Sequence, residues 1–212
     1  MKQLFISLLF FSFSLVVNSQ TDFTPSSSFK VEIGLPNNAT NYAFRDLMQG
    51  LVVVTPSYQY TFENSFSIAG GLRYGFFNVN QFKNNIGMSG GAHLAGVFGK
   101  IGQEKFYGNF GLDYGVRIGY TMNFFDTNKN EELLGRPYNN DGGFVEPTLG
   151  LALMANENTS FRLALGYAFH AFQFQPHQMG IEKFSGIDPS KINSLTTYFT
   201  IGFGYSYYFG KK

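Results

Sequence analysis

The chain has 212 residues, no cysteine, 44% apolar and 18% aromatic residues, and a formal net charge of +1. That charge excludes the basic face nucleic acid requires, and the missing thiols exclude disulfides, thiolate metal centres, cysteine nucleophiles and a lipid-bearing N-terminal cysteine. Beyond the N-terminus no run reaches the roughly 20 apolar residues of a membrane helix, whereas abundant aromatics and 25 glycines suit strands that are greasy on one face only.

The length suits one domain. Residues 1–19 read as a cleaved signal peptide: Lys2 supplies the positive start, Leu4 to Val17 the apolar stretch, and Val17-Asn18-Ser19 the small residues before the cut. A short leader at 20–27 follows, and the barrel segment is 28–212.

From there the pattern alternates with a period of two, the mark of a strand whose faces meet different media. Strand one, about 28 to 36, turns Phe29, Val31, Ile33 and Leu35 one way and Lys30 and Glu32 the other. In the loop after it, Phe44, Leu47 and Met48 fall at helical spacing, which predicts a short helix over the barrel mouth. Strand two, about 51 to 62, carries Val52, Val54, Pro56, Tyr58, Tyr60 and Phe62 outward. Strand three, about 66 to 78, carries Phe66, Ile68, Leu72, Tyr74 and Phe76 outward against Arg73. Strand four, about 88 to 99, is Gly-rich, and reads as Ala92, Leu94 and Phe98 outward with His93 inward. A turn is expected around Gly99 to Gln103, and strand five, Phe106 to Met122, then sets its apolar even positions against Asp113 and Arg117. Strand six, about 144 to 155, opposes Val145, Pro147, Leu149, Leu151 and Leu153 to Glu146 and Thr148. Strand seven, about 160 to 173, opposes Phe161, Leu163, Leu165, Tyr167 and Phe169 to Arg162 and His170. Strand eight, about 195 to 209, turns Leu195, Phe199, Ile201, Phe203, Tyr205, Tyr207 and Phe209 outward, and Tyr198, Thr200, Gly202, Gly204 and Ser206 inward.

The connections alternate in length. Glu63-Asn64, Gly99 to Gln103 and Asn156 to Asn158 are short; Pro36 to Gly50, Asn78 to Gly87, Asn123 to Gly143 and Pro176 to Ser194 are long. Short periplasmic turns and long extracellular loops mark a transmembrane barrel of the bacterial outer membrane. Aromatics at the strand ends predict two girdles at headgroup level, with Phe62, Phe66, Phe98, Phe106, Phe161 and Phe209 low and Tyr74, Phe76, Tyr120 and Phe169 high. A soluble lipocalin-like barrel also alternates, but its polar face would meet water. Here that face is mostly Gly, Ser and Thr with sparse charge, as an enclosed lumen requires. The expected fold is all-β: an eight-stranded antiparallel transmembrane up-and-down barrel.

Such a barrel is wide enough only to be filled by its own side chains. The expected lumen charges are Lys30, Glu32, Arg73, Asp113, Arg117, Glu146 and Arg162, with His93 and His170. Counted from the turns, Arg73 and Asp113 share a level and are expected to meet, while Arg117, Glu146 and His170 form a second layer. Buried charges must pair, so a salt-bridge plug is the expected arrangement, with a proton or ligand relay as its alternative.

The segments Asn41 to Leu51, Pro56 to Tyr60 and Gly70 to Tyr74, with the closing Gly204 to Phe209, resemble small outer-membrane β-barrel proteins of Bacteroidetes-type bacteria, of the OmpX-like or PorT-like kind. The resemblance implies eight strands, no assigned activity, and recognition of Tyr205, Tyr207 and Phe209 by the barrel assembly machinery. Gly210-Lys211-Lys212 extends past the final aromatic on which many such barrels end.

Catalysis finds little support. Lipid A-trimming barrels use His, Ser and a carboxylate, and His170 is followed by Ala171-Phe172-Gln173 where a Ser two positions on would be required. His93, His170 and His177 lack metal-ligand spacing, and Asp126 to Glu131 lacks the glycine and final glutamate of a calcium loop. The expectation is a non-enzymatic barrel with a plugged polar lumen and no cofactor, held in outer-membrane lipid. It is expected to serve envelope structure or binding and adhesion through its extracellular loops, with an extracellular or envelope protein as the partner. A lipid A or phospholipid-modifying enzyme and a small-solute channel are the alternatives.

Overall fold

A computed structural model of the protein describes residues 25–81 and 87–211. The expected signal peptide and residues 20–24 of the expected leader lie outside them. Eight antiparallel strands close on themselves in sequence order: β1 (Pro25–Asn38), β2 (Met48–Thr61), β3 (Phe66–Val79), β4 (Gly90–Tyr107), β5 (Phe110–Thr127), β6 (Tyr138–Met154), β7 (Thr159–His170) and β8 (Thr196–Lys211). Pairing of β1 with β8, from Pro25↔Lys211 to Asn38↔Tyr198, removes both sheet edges. Closure is what lets a sheet survive in hydrocarbon, because every backbone polar group then finds a partner without water.

The faces follow the alternation. Phe29, Ile33, Leu35, Leu72, Ile118, Leu153, Phe161 and Phe203 stand outside and exposed, while Ser28, Lys30, Glu32, Arg73, Asp113 and Arg162 are buried inside. A continuous apolar exterior around a charged interior would aggregate in water. In a bilayer it is the stable arrangement.

The short-turn end carries both described strand termini and the turns at 62–65, 108–109 and 155–158. Between β4 and β5 the turn is only Gly108-Asn109, with Gly108 at φ 62, the left-handed conformation a two-residue hairpin takes at its first position. The expected turn at Gly99 to Gln103 is therefore strand, and β4 and β5 form a ladder running from Gly90↔Thr127 to Tyr107↔Phe110.

At the other end the loops fold rather than fray. Helix α1 (Tyr42–Leu47) follows β1, as the spacing of Phe44, Leu47 and Met48 predicts, and α2 (Asn128–Leu134) follows β5. Two single-turn 3-10 helices, Pro176–Met179 and Pro189–Ile192, shape the long connection to β8. Phe44, Phe172, Phe174, Met179, Phe184 and Ile192 from these loops join Val53, Phe77, Leu94 and Phe125 from the strands in one buried apolar core at the barrel mouth. Phe44 packs 5.1 Å from Phe77 and 5.3 Å from Phe174, ring centre to ring centre.

Two asparagines tie this cap together. Asn41, at φ 58, donates through Nδ2 to the carbonyls of Phe174 (3.2 Å), Ile192 (2.9 Å) and Ser194 (3.2 Å), and its Oδ1 caps α1 at the Phe44 amide. Asn130 Nδ2 donates to the carbonyls of Phe125 and Gln178, both at 2.8 Å, joining α2 to the last loop. No described helix is long and apolar enough to cross a membrane; the strands do that.

Candidate functional site: the charged lumen

Below the cap the lumen is filled by ion pairs in two connected layers. In the lower layer Asp113 of β5 accepts from Lys30 (2.9 Å), Arg162 (2.6 Å) and Lys100. Lys30 also reaches Glu104 of β4 at 2.6 Å, and Gln59 and Thr61 of β2 donate to the other oxygen of Glu104 at 2.8 and 3.0 Å. In the upper layer Arg117 spans two carboxylates, Glu32 at 2.5 Å and Glu146 at 3.3 Å. Arg73 meets Glu146 at 2.5 Å and donates to the Tyr198 hydroxyl at 3.2 Å, which in turn lies 3.0 Å from His170 Nε2. Arg162 Nε, 3.4 Å from Glu32, joins the layers.

The barrel places long side chains here by removing others. A Cβ on Gly166 would sit 2.6 Å from Glu146 Oε1, one on Gly204 would meet Arg162 Cγ at 2.8 Å, and one on Gly150 would collide with the Arg162 guanidinium. These inward glycines are the space the paired side chains occupy.

Eight of the nine expected lumen residues face inward: Lys30, Glu32, Arg73, Asp113, Arg117, Glu146, Arg162 and His170. The ninth does not. His93 faces outward, where the Tyr74 hydroxyl lies 2.7 Å from its Nδ1 and the Phe76 ring stacks on it at 4.7 Å. The parity of β4 is the reverse of the expected one. Ala92, Leu94 and Phe98 are buried and Val97 and Ile101 are exposed, because Lys100 and Glu104 belong to the same strand and need the lumen. Phe98 and Phe106 are thus not girdle residues: Arg117 lies over the Phe98 ring at 5.1 Å, and Phe106 packs on Tyr208 at 5.5 Å. Arg73 and Asp113 do not pair with each other; each finds its own partners. Arg117 and Glu146 do share the upper layer, and His170 reaches it through Tyr198.

Lys100 and Glu104 are the members that sequence reasoning missed, along with the polar partners Gln59 and Tyr208. The period-two signal is broken on this stretch: Phe98 and Phe106 share a parity with Lys100 and Glu104, and Gln103 and Lys105 share one with Val97 and Ile101.

His170 and Tyr198 are 1% and 0% exposed, and His170 stacks against Phe144 at 5.4 Å and Tyr198 at 5.3 Å. Asp126 to Glu131 forms the end of β5 and the start of α2, with Thr127 capping the helix and Lys129 paired to Glu132 at 2.8 Å. Among the described residues, no three of the metal-binding residue types converge.

No protein-family model matches the chain. No curated protein matches it in sequence. Solved structures do. Neisserial surface protein A (NspA) superposes with a TM-score of 0.56 at 9% identity, over 87% of this chain and 97% of that one. The outer membrane protein OprG from Pseudomonas aeruginosa has a TM-score of 0.48 at 14% identity, over 90% of this chain and 100% of that one. Ail, the attachment invasion locus protein of Yersinia pestis, has a TM-score of 0.42 at 12% identity, over 86% and 99%. The likeness to NspA is one of fold. With the apolar exterior and the closed eight-strand sheet, it makes this protein a small β-barrel of the bacterial outer membrane.

Proposed function

We propose that the protein is a non-enzymatic barrel, closed to solute flow, that serves envelope structure and offers its folded extracellular cap to a binding partner. The observation that carries this reading is the pairing of a charge-packed lumen with an apolar seal above it. Along the polar centre of the barrel the cavity between Arg73, Arg117, Glu32 and Glu146 measures about 20 Å³, room for about one water. Planar-bilayer recordings on the purified protein are the direct test. No stepwise conductance is expected, and a steady single-channel current would overturn the closed-lumen reading.

The cap supports a binding role because its loops are pre-ordered by packing and by the Asn41 and Asn130 hydrogen bonds. A pre-ordered surface gives up less conformational entropy on binding than loose loops do. The finer family assignment, an OmpX-like or PorT-like barrel of Bacteroidetes-type bacteria, rests on the sequence resemblance alone. So does recognition by the assembly machinery, which the outward, exposed Tyr205, Tyr207 and Phe209 suit.

A lipid-modifying enzyme needs a nucleophile beside His170 at a rim that lipid can reach. Tyr198 is beside it, but both lie buried beneath the apolar cap, and Arg73 holds the phenol. Incubation with lipid A and phospholipid is expected to yield no product. Turnover lost in His170→Ala would reinstate catalysis.

A further inference from the structure

The parity of β4 puts two polar side chains on the outside of the barrel. Gln103 and Lys105 follow Val97 and Ile101 on the outward face, and both are half-buried. Every other strand cation with a described side chain (Lys30, Arg73, Lys100, Arg117 and Arg162) is buried in the lumen. The surface around the pair is apolar and aromatic. Lys105 stands opposite Leu112, which is followed by Leu151, and Gln103 stands between Phe66 and Tyr114.

Both residues lie at the short-turn end. The exposed rings of Phe66, opposite Gln103, and Phe110, opposite Tyr107, bracket the level of Lys105. An outward charge is tolerated near the interface and not in mid-bilayer, and the lysine stem lets the ammonium reach the headgroups while its methylenes stay in apolar surroundings. The amide beside it is oriented. Tyr114 donates its hydroxyl hydrogen to Gln103 Oε1 at 2.6 Å, which leaves the two N–H donors of the amide turned away from that bond. Alternate residues of one strand share a face about 7 Å apart, so the flexible lysine can converge with the amide on one group. Among the described residues nothing accepts from either nitrogen.

An ammonium and an amide donor, with no carboxylate paired to them, select an anionic oxygen; the apolar side chains beyond them select acyl chains. We propose that Lys105 and Gln103 form a site for the phosphate of one glycerophospholipid of the periplasmic leaflet, its chains lying against Ile68 and Ile101. Those two residues are paired across β3 and β4 and exposed on the outward face, farther from the turn. The site rests on the outer-membrane placement of the barrel and not on its closed lumen or its cap, so a conducting lumen would leave it standing.

The test is native mass spectrometry of the delipidated, detergent-folded barrel titrated with phosphatidylglycerol. One lipid should bind ahead of any others in the parent and in Lys105→Arg. Its affinity should fall about fivefold in Lys105→Met, the contribution of one basic residue beside an anionic lipid, and further when Gln103→Leu is added. Lys183→Met, in the last extracellular loop, should bind as the parent does. On the parent itself, a phosphate-free diacyl galactolipid should bind more weakly than phosphatidylglycerol, and inorganic phosphate should not displace the lipid. Equal affinity in Lys105→Met, equal affinity for the galactolipid, or displacement by inorganic phosphate would each overturn the proposal.

Discussion

Arg162 of β7 reaches across the lumen to Asp113 of β5, its Nη2 2.6 Å from Oδ2, although β6 separates the two strands in the sheet. The same carboxylate holds Lys30 of β1 and Lys100 of β4. One anion thus ties four strands together through the interior, a cross-brace the backbone ladder does not supply.

Removing that anion should be severe. Asp113→Ala leaves three cations facing one another in a dry space, and breaking a buried pair costs about 3–5 kcal/mol. The urea midpoint of the detergent-folded barrel should fall accordingly. Adding Lys100→Met to Asp113→Ala should recover part of the loss by deleting one stranded cation. A midpoint unchanged in the single variant would mean Asp113 is not the hub.

Gly166 should tolerate no side chain. Its Cβ would stand 2.6 Å from Glu146 Oε1, which is held in place by Arg73 and Arg117. Overpacking of this kind costs about 1–3 kcal/mol. Gly166→Ala should lower the temperature at which the folded band converts to the unfolded one on a gel, whereas Gly143→Ala, whose nearest foreign atom is 3.7 Å away, should not.

The cap should come loose without the barrel. Asn41→Ala deletes a side chain that donates to three loop carbonyls, and buried groups left unsatisfied cost about 1–3 kcal/mol each. It also places alanine at a left-handed φ. Limited proteolysis should then cut within residues 171–195 while the strands stay protected. Equal protection in variant and parent would show that packing alone holds the cap.

The reversed parity of β4 can be read directly, because the chain has no cysteine of its own. A fluorophore on His93→Cys should be quenched by nitroxide-bearing lipids, since His93 faces the bilayer beside Tyr74 and Phe76. Phe98→Cys, pointing inward, should resist labelling in the folded protein. The opposite result would restore the parity read from sequence.

Asp188 in the last loop gives a small pH dependence at the surface. Its carboxylate accepts from the Ser190 amide and hydroxyl, both at 2.9 Å, and the backbone bond, then the side-chain bond, holds its pKa below the ordinary value of 3.8. The folded pKa is depressed, so the contribution is present above that ordinary value and is lost as pH falls through the folded one. Exchange protection of the Ser190 amide should hold at pH 5 and drop in strong acid, and Asp188→Ala should abolish the difference.

How much of this was legible beforehand differs from strand to strand. In β1, β5 and β8 nearly every second residue is bulky and apolar, and most of the residues between are small, polar or charged. The period alone assigns their faces, and with them Lys30, Glu32, Asp113 and Arg117 to the interior. β4 opens instead with Gly90, Gly91, Ala92, Ala95 and Gly96. Small residues fit either face, so its parity was decided only by where Lys100 and Glu104 find partners. The partners themselves were beyond reach as well. In a tilted, staggered barrel, residues equally far from their turns do not meet, which is why Arg73 pairs with Glu146 and Asp113 with Lys30 and Arg162.

By itself, then, the sequence determined the class of fold, the strand number, the membrane-facing surface and most of the lumen's members, because a two-residue period and alternating loop lengths are local properties. Tertiary structure alone decided which charges meet, and that the first and last loops condense into an apolar seal. Those outcomes depend on strand stagger and on closure of β1 against β8, and neither is written within any single segment of the chain.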